Sequence, residues 1–128
     1  MKNTFPFLIV PKASKSEKNK GLEGFETKSK RGIDTMGGSK CTMKTGSGNE
    51  RNVKYLNNHP TVKPIKLMSY LITLGSREGD TILDPFVGSG TTCVAAKQLK
   101  RKYIGIEKNK EYIKIAEARI RAEADKLI

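Results

Sequence analysis

Apolar residues fall into two regimes along this chain. From Val53 onward they recur at helix and strand periods. From Pro11 to Asn52 only Ala13, Leu22, Phe25, Ile33, Met36, Cys41 and Met43 interrupt a run rich in glycine, lysine and serine. A run that poor in apolar residues can hardly bury a core of its own, so the core is expected from Val53 onward, helped by residues 5–10. Phe5 to Val10, aromatic and β-branched beside prolines, predicts a short strand. Residues 12–52, punctuated by Gly-Gly and Gly-Ser-Gly, predict loop. A helix over 64–76 carries Ile65, Met68 and Leu71/Ile72 as its stripe, with Pro64 allowed in the first turn. Gly79-Asp80 turns into a strand over 81–84, followed by a helix over 91–99 and a strand over 102–106. A last helix runs over 110–126, with Ile113, Ala116 and Ile120 at core spacing. Strand, helix, strand, helix predicts a right-handed parallel unit of an α/β fold. A sheet of three strands would leave an open edge.

The chemistry concentrates where the first of these strands ends, in Asp84-Pro85-Phe86-Val87-Gly88-Ser89-Gly90-Thr91-Thr92. An acid at the carboxyl end of a buried strand, then glycines, then a helix start, marks the crevice where α/β proteins hold nucleotide-like ligands. Gly88 and Gly90 allow close approach of backbone to ligand. Thr91 and Thr92 open a helix whose free N–H groups favour an anion. A dinucleotide fingerprint would place a third glycine at position 93, where Cys93 stands, and Asp84 would repel a pyrophosphate. S-adenosylmethionine (AdoMet) carries an ammonium and a sulfonium, which suit Asp84, and a carboxylate, which suits the helix start. Glu107 ends the next strand 23 residues after Asp84, the position of an acid that accepts from ribose hydroxyls; capping the following helix is its other reading. The run Gly32 to Ser39 has the outline of a phosphate loop, but Gly38 stands where the lysine is needed, which excludes it.

The DPFVGSGTT segment resembles the AdoMet-binding motif of the amino-group DNA methyltransferases, which modify adenine N6 or cytosine N4. Asn58-His59-Pro60-Thr61-Val62-Lys63-Pro64, a short way upstream, is similar to a block of the permuted members, in which the cofactor half follows the catalytic half. The resemblance is firm from about Asn57 to Ile120 and looser over residues 5–15. It implies a partial Rossmann-like methyltransferase fold behind a long basic, loop-rich N-terminal segment. Residues 1–56 would belong to the catalytic and target-recognition region, and 57–128 would be the AdoMet-binding half. The family's catalytic tetrapeptide, Asp, Asn or Ser before Pro-Pro-aromatic, is not in this sequence, where no two prolines are adjacent. The resemblance therefore assigns no catalytic residue here and implies a part that is inactive alone, joined by a methyltransferase fragment encoded upstream. A non-catalytic truncated remnant or domain-completing fragment with weak DNA or AdoMet binding is the alternative. On this resemblance Asp84 lies near the methionine ammonium, Gly88, Ser89 and Gly90 beneath it, Thr91 and Thr92 at the carboxylate, and Glu107 on the ribose. Phe86 either packs on the adenosine or fills the pocket wall. Lys63 either faces the carboxylate or is solvated. His59, the only histidine, is placed in a structural turn beside the cofactor and lacks the partner a general base needs.

Net charge of +12 sharpens this picture, because the excess is uneven. Residues 1–64 hold 13 basic against 5 acidic side chains, and residues 65–128 hold 12 against 8. A basic, motif-poor half suits a polyanion or is simply a solvated loop; the resemblance implies double-stranded DNA, with Lys12, Lys15, Lys18 and Lys20 as phosphate contacts. Cys41 and Cys93 lack metal-ligand spacing, which argues against a metal site and for a reducing, cytoplasmic setting. Cys93 reads as a small buried hydrophobe. No apolar run approaches a membrane span, and the N-terminus lacks a signal pattern.

Overall fold

The computed structural model describes residues 10–26, 28–29 and 54–123. Helix α1 (Lys15–Asn19) comes first, then two short strands, β1 (Lys28–Ser29) and β2 (Lys54–Tyr55), paired antiparallel. Helix α2 (Ile65–Gly75), strand β3 (Thr81–Asp84), helix α3 (Thr91–Gln98), strand β4 (Lys102–Gly105) and helix α4 (Lys110–Arg121) follow. Strands β3 and β4 are parallel, with Thr81 opposite Lys102 and Asp84 opposite Gly105. Bonds beyond the strand ends lengthen the pairing: Ile106 N–H donates to the Asp84 carbonyl (2.9 Å) and Val87 N–H to the Ile106 carbonyl (3.0 Å). The strand expected over 5–10, Cys41 and the end of the last helix beyond 123 lie outside the described residues.

Helix α3 is central because its side chains are small. Thr91, Thr92, Cys93, Val94, Ala95 and Ala96 are all buried. Ala95 and Ala96 pack with Ile72 of α2, and Ile65, Met68, Ile82 and Leu99 close around them. Gly105 lets the sheet approach: a Cβ there would lie 3.0 Å from both Cys93 Sγ and a Val87 methyl. The helix ends in a Schellman motif. Arg101 N–H donates to the Ala96 carbonyl (2.9 Å) and Lys100 N–H to that of Lys97 (3.1 Å), with Lys100 at φ +56°. Arg101 then reaches back to the end of α2, its Nε donating to Ser76 Oγ (2.9 Å).

Among the described residues the parallel sheet has two strands, the strand expected over 5–10 lying outside them, and its outer face is exposed. Side chains alternate along a strand, so Leu83, Ile104 and Ile106 point away from α3, and each is more than half exposed. The segment 12–52 is not simply loop. It contains α1, capped by Ser14 Oγ accepting from Glu17 N–H (3.1 Å), and it contributes Ala13 and the fully buried Leu22 to the interior. Its few apolar residues carry no period because the contact is made by backbone. Gly21, at φ +81°, sits so close to α4 that a Cβ would lie 2.7 Å from the Ala118 carbonyl oxygen. Lys20 Nζ then pairs with Glu123 (2.8 Å), and Asn57 Nδ2 donates to the Lys18 carbonyl (2.9 Å).

The helix stripes also differ in detail. Leu71 is 48% exposed, leaving Ile72 to face the core of α2. On α4 the buried residues are Ile115, Ala116 and Arg119, with Ile113 and Ile120 half-buried. Leu22→Ala should lower unfolding stability by about 2–4 kcal/mol, the cost of a core truncation. Chemical denaturation of the full chain measures it, and a loss below about 0.5 kcal/mol, the scale of a surface substitution, would show that the N-terminal segment does not pack as described.

Candidate functional site

Parallel pairing of β3 and β4 places their carboxyl ends, Asp84 and the stretch to Glu107, side by side beneath the glycine loop. Asp84 is half-buried and fixed on both oxygens. Oδ1 accepts from Phe86 N–H (3.0 Å), and Oδ2 accepts from the Thr92 hydroxyl. Glu107 is held similarly. Oε2 accepts from Gly88 N–H (3.1 Å) and Oε1 from Asn109 N–H (2.8 Å). Asn109 in turn caps α4 through Glu111 N–H (2.9 Å). Each carboxylate oxygen has a second lone pair, so both acids keep capacity to accept from a ligand while their orientation is set by the protein.

The loop between them requires glycine twice. Gly88 (φ +54°) and Gly90 (φ +83°) are both left-handed. Above Gly88 lies His59, whose Nε2 would be 2.5 Å from a Cβ; below Gly90 lies Ala116, whose Cβ would be 2.8 Å away. His59 is fixed edge-on to Tyr112 (centroids 4.6 Å apart), and its Nδ1 accepts from Thr61 N–H (3.3 Å), which assigns the proton to Nε2. Burial lowers its pKa from 6.5; Glu107 opposes the shift and Arg119 adds to it. From α4, Arg119 Nη1 donates to the Ser89 carbonyl (2.7 Å), Ser89 Oγ (3.0 Å) and Thr91 Oγ1 (3.2 Å).

Of the residues singled out in the sequence, Asp84, Phe86, Gly88, Ser89, Gly90, Thr91, Thr92 and Glu107 form one constellation. Ser89, Thr91 and Thr92 are buried, and both threonine hydroxyls are engaged inside the protein. What the start of α3 offers a ligand is therefore its backbone N–H groups, which have no intrahelical acceptors. Phe86 is 88% exposed beside the loop. Lys63 is exposed, and among the described residues no hydrogen bond or ion pair joins it to the loop. Lys12 and Lys15 are exposed on and before α1, Lys18 is half-buried, and Lys20 is paired with Glu123. Cys93 is buried, as expected of a small hydrophobe, and burial together with Asp84 pushes its thiol up to about 11, so it stays protonated at neutral pH. Among the described residues no cluster of three His, Cys, Asp or Glu could hold a metal, and no helix is long and apolar enough to cross a membrane.

Sequence reasoning missed Arg119 and the packing role of His59. A signal for the first was present: Arg119 stands three and four residues after Ala116 and Ile115, on the buried face of α4. An arginine in an apolar stripe needs polar partners to be there. For His59, nothing local in the sequence announces contact with a glycine 29 residues later.

A family model described as DNA methylase, for the N6/N4 methyltransferases, matches residues 3–118. The type II methyltransferase M2.DpnII of Streptococcus pneumoniae is 53% identical over 79 residues, which are 62% of this chain and 30% of that protein. M.HpaI of Haemophilus parainfluenzae is 52% identical over 65 residues, 51% of this chain and 21% of the relative. Among solved structures, the M1.HpyAVI–SAM complex is 48% identical with a TM-score of 0.48, over 49% of this chain and 31% of that one. The chain spans less than a third of the length of these relatives.

The wedge of His59 against Gly88 is open to a double-mutant cycle. Gly88→Ala should destabilise by about 1–3 kcal/mol from overpacking. His59→Ala should relieve part of that, giving a coupling of about 0.5–2 kcal/mol in thermal unfolding; strict additivity would place the ring elsewhere. His59 also gives a pH dependence. Because its folded pKa lies below 6.5, the unfolded chain binds more protons in the window beneath that value. Stability from this residue is full above 6.5 and declines as pH falls toward the folded pKa. His59→Gln should flatten that part of the stability profile below pH 6.5, and an unaltered profile would exclude the half-buried neutral imidazole.

Proposed function

Since this chain belongs to the N6/N4 family of DNA methylases, we propose that it is the cofactor-binding part of an AdoMet-dependent DNA methyltransferase acting on adenine N6 or cytosine N4. The observation that carries this reading is the pair of oriented acids, Asp84 and Glu107, at the ends of adjacent parallel strands on either side of a loop that is bare backbone at Gly88 and Gly90. The groups present fit AdoMet. Asp84 offers a carboxylate to the methionine ammonium, and a fixed anion there disfavours a phosphate ligand. Glu107 offers an acceptor to ribose hydroxyls. The bare backbone at Gly88 and Gly90 admits close approach, and the N–H groups opening α3 suit the methionine carboxylate. Exposed Phe86 provides a face for the adenine ring. AdoMet supplies an activated methyl group; this chain binds and orients it.

Methyl transfer to a base amino group needs the base out of the helix and its nitrogen held in line with the methyl. The polar clamp for that nitrogen is the Pro-Pro-aromatic tetrapeptide of the family, which this sequence does not contain. The chain alone therefore binds cofactor without completing catalysis. The bare apolar face of Leu83, Ile104 and Ile106 supports a further methyltransferase segment packing there. Lys12, Lys15 and Lys18 contact DNA phosphates, with Lys20 contributing less because Glu123 already holds it. A DNA substrate is in keeping with the cytoplasmic setting expected from the cysteines.

Asp84→Ala and Glu107→Ala should each weaken AdoMet binding by about 1.5–3 kcal/mol, roughly tenfold to a hundredfold. Calorimetry on the full chain, and on the chain together with a segment supplying the tetrapeptide, measures it. Parent-like affinity in both variants would remove the pocket from consideration.

A further inference from the structure

A guanidinium keeps its charge under all ordinary conditions, and withdrawing it from water costs several kcal/mol unless its donors are met. Arg119 is only 2% exposed, on a helix face whose other buried members are Ile115 and Ala116. Packing alone would be served there by leucine or methionine. Among the described residues no carboxylate pairs with it at salt-bridge distance. Glu17 and Glu123 act on it only through the longer-range field, against the burial that lowers its pKa. The three hydrogen bonds of Nη1 all go to one place, the carbonyl and hydroxyl of Ser89 and the hydroxyl of Thr91. Nη2 is buried and, among the described residues, has no hydrogen-bond partner. The charge is kept inside despite an unmet donor, which points to a requirement at the loop rather than in the core.

We propose that Arg119 is the positioning residue of the cofactor loop: it fixes Ser89 and Thr91 and thereby the shape in which Gly88–Thr92 meets the ligand. The loop needs an external restraint because its two glycines have the widest backbone freedom of any residue. Ala116 and Arg119 stand three apart on α4, hence on one face, and form the floor. Ala116 limits how far Gly90 can descend, and Arg119 ties the Ser89 carbonyl to that same helix. By also reaching Thr91 Oγ1, Arg119 bridges the junction between loop and α3 and so sets the direction of the first N–H groups of the helix. The next residue, Thr92, holds Asp84. One buried cation thus orders, through Ser89 and Thr91, both the anion-binding helix start and the acid beside it. It touches no ligand itself.

The consequence for AdoMet rests on the proposed function, whereas the consequence for the loop does not, and the test separates them. Amide hydrogen exchange is measured in the ligand-free full chain for Arg119→Met, Arg119→Lys, Thr91→Val and the Arg119→Met/Thr91→Val pair. AdoMet affinity is measured on the same proteins by calorimetry. Loss of hydrogen bonds from a charged donor should speed exchange of the Gly88 and Gly90 amides in Arg119→Met roughly tenfold to a hundredfold, with α2 amides near the parent rate. Arg119→Lys should fall between, because an ammonium keeps the charge without the fork. Thr91→Val should speed exchange alone but add nothing on top of Arg119→Met. AdoMet affinity should fall in the same order.

Unchanged exchange at Gly88 and Gly90, or a uniform rise across α2, α3 and α4, would overturn the proposal, the second by making Arg119 an ordinary core residue. A loosened loop with undiminished AdoMet affinity would overturn its functional half. If Arg119→Met does not fold, Arg119→Lys and Thr91→Val decide by the same exchange criterion. If the parent binds no AdoMet, the pocket reading fails, and the exchange rates still decide whether Arg119 shapes the loop.

Discussion

Backbone at Gly88 and Gly90 is wedged between an imidazole on one side and a helix on the other, and most of the site depends on that wedge. A side chain at either position would meet His59 or Ala116 within about 3 Å. The loop can pass only as bare backbone with left-handed φ at both points. Once it passes, Gly88 N–H reaches Glu107, and the chain enters α3 with Thr92 facing Asp84. Three pieces distant in sequence, the His59 turn, the loop and α4, are each needed to give the two acids their places. The parallel pairing of β3 with β4 supplies the remaining constraint by setting those acids on neighbouring strand ends.

The polar N-terminal segment is tied to this assembly by a second set of contacts. Glu17 Oε1 accepts from Ile65 N–H (2.6 Å), satisfying an otherwise free donor at the start of α2. Lys20 meets Glu123, which also accepts from Gln98 Nε2 (2.8 Å) at the end of α3. Gly21 lies flat on α4, and Leu22 is fully buried. A segment with a strong basic excess therefore turns one acid, Glu17, inward as an anchor, while Lys12 and Lys15 remain at the surface. That division lets the segment dock onto the second half of the chain while keeping its exposed lysines outside.

Elements of the second half were legible because each carries its own period and punctuation. Strand β3 agrees with its expected span, and α2, α3 and β4 agree to within one or two residues at each end. The acids and glycines of the loop were legible from their order alone. What escaped the sequence were contacts with no local signature. Leu22 lies among polar residues, and its burial comes from the close approach of Gly21 to Ala118, which no hydropathy pattern encodes. Arg119 looks like one more positive charge until the buried neighbours Ile115 and Ala116 show which way its side of α4 faces. Likewise the sequence places Thr91 and Thr92 at a helix start without a sign of what their hydroxyls meet, and in the folded chain Arg119 and Asp84 take them both.

Charge and exposure together explain why the two faces of the small sheet differ so sharply. The inner face can be built from this chain alone because α3 is made of small residues that admit α2 on one side and α4 on another. Among the described residues nothing covers the outer face. Leu83, Ile104 and Ile106 are bare, and the described helices that pack on the sheet all follow or precede its strands on the inner side. Burying three such side chains would contribute on the order of 1.5–3 kcal/mol each, which is large beside the marginal stability of a domain this size. The candidate site faces no such deficit, because its restraints come from α4, His59 and the loop itself. The candidate site is therefore internally specified, while the sheet on which it stands keeps an exposed apolar outer face.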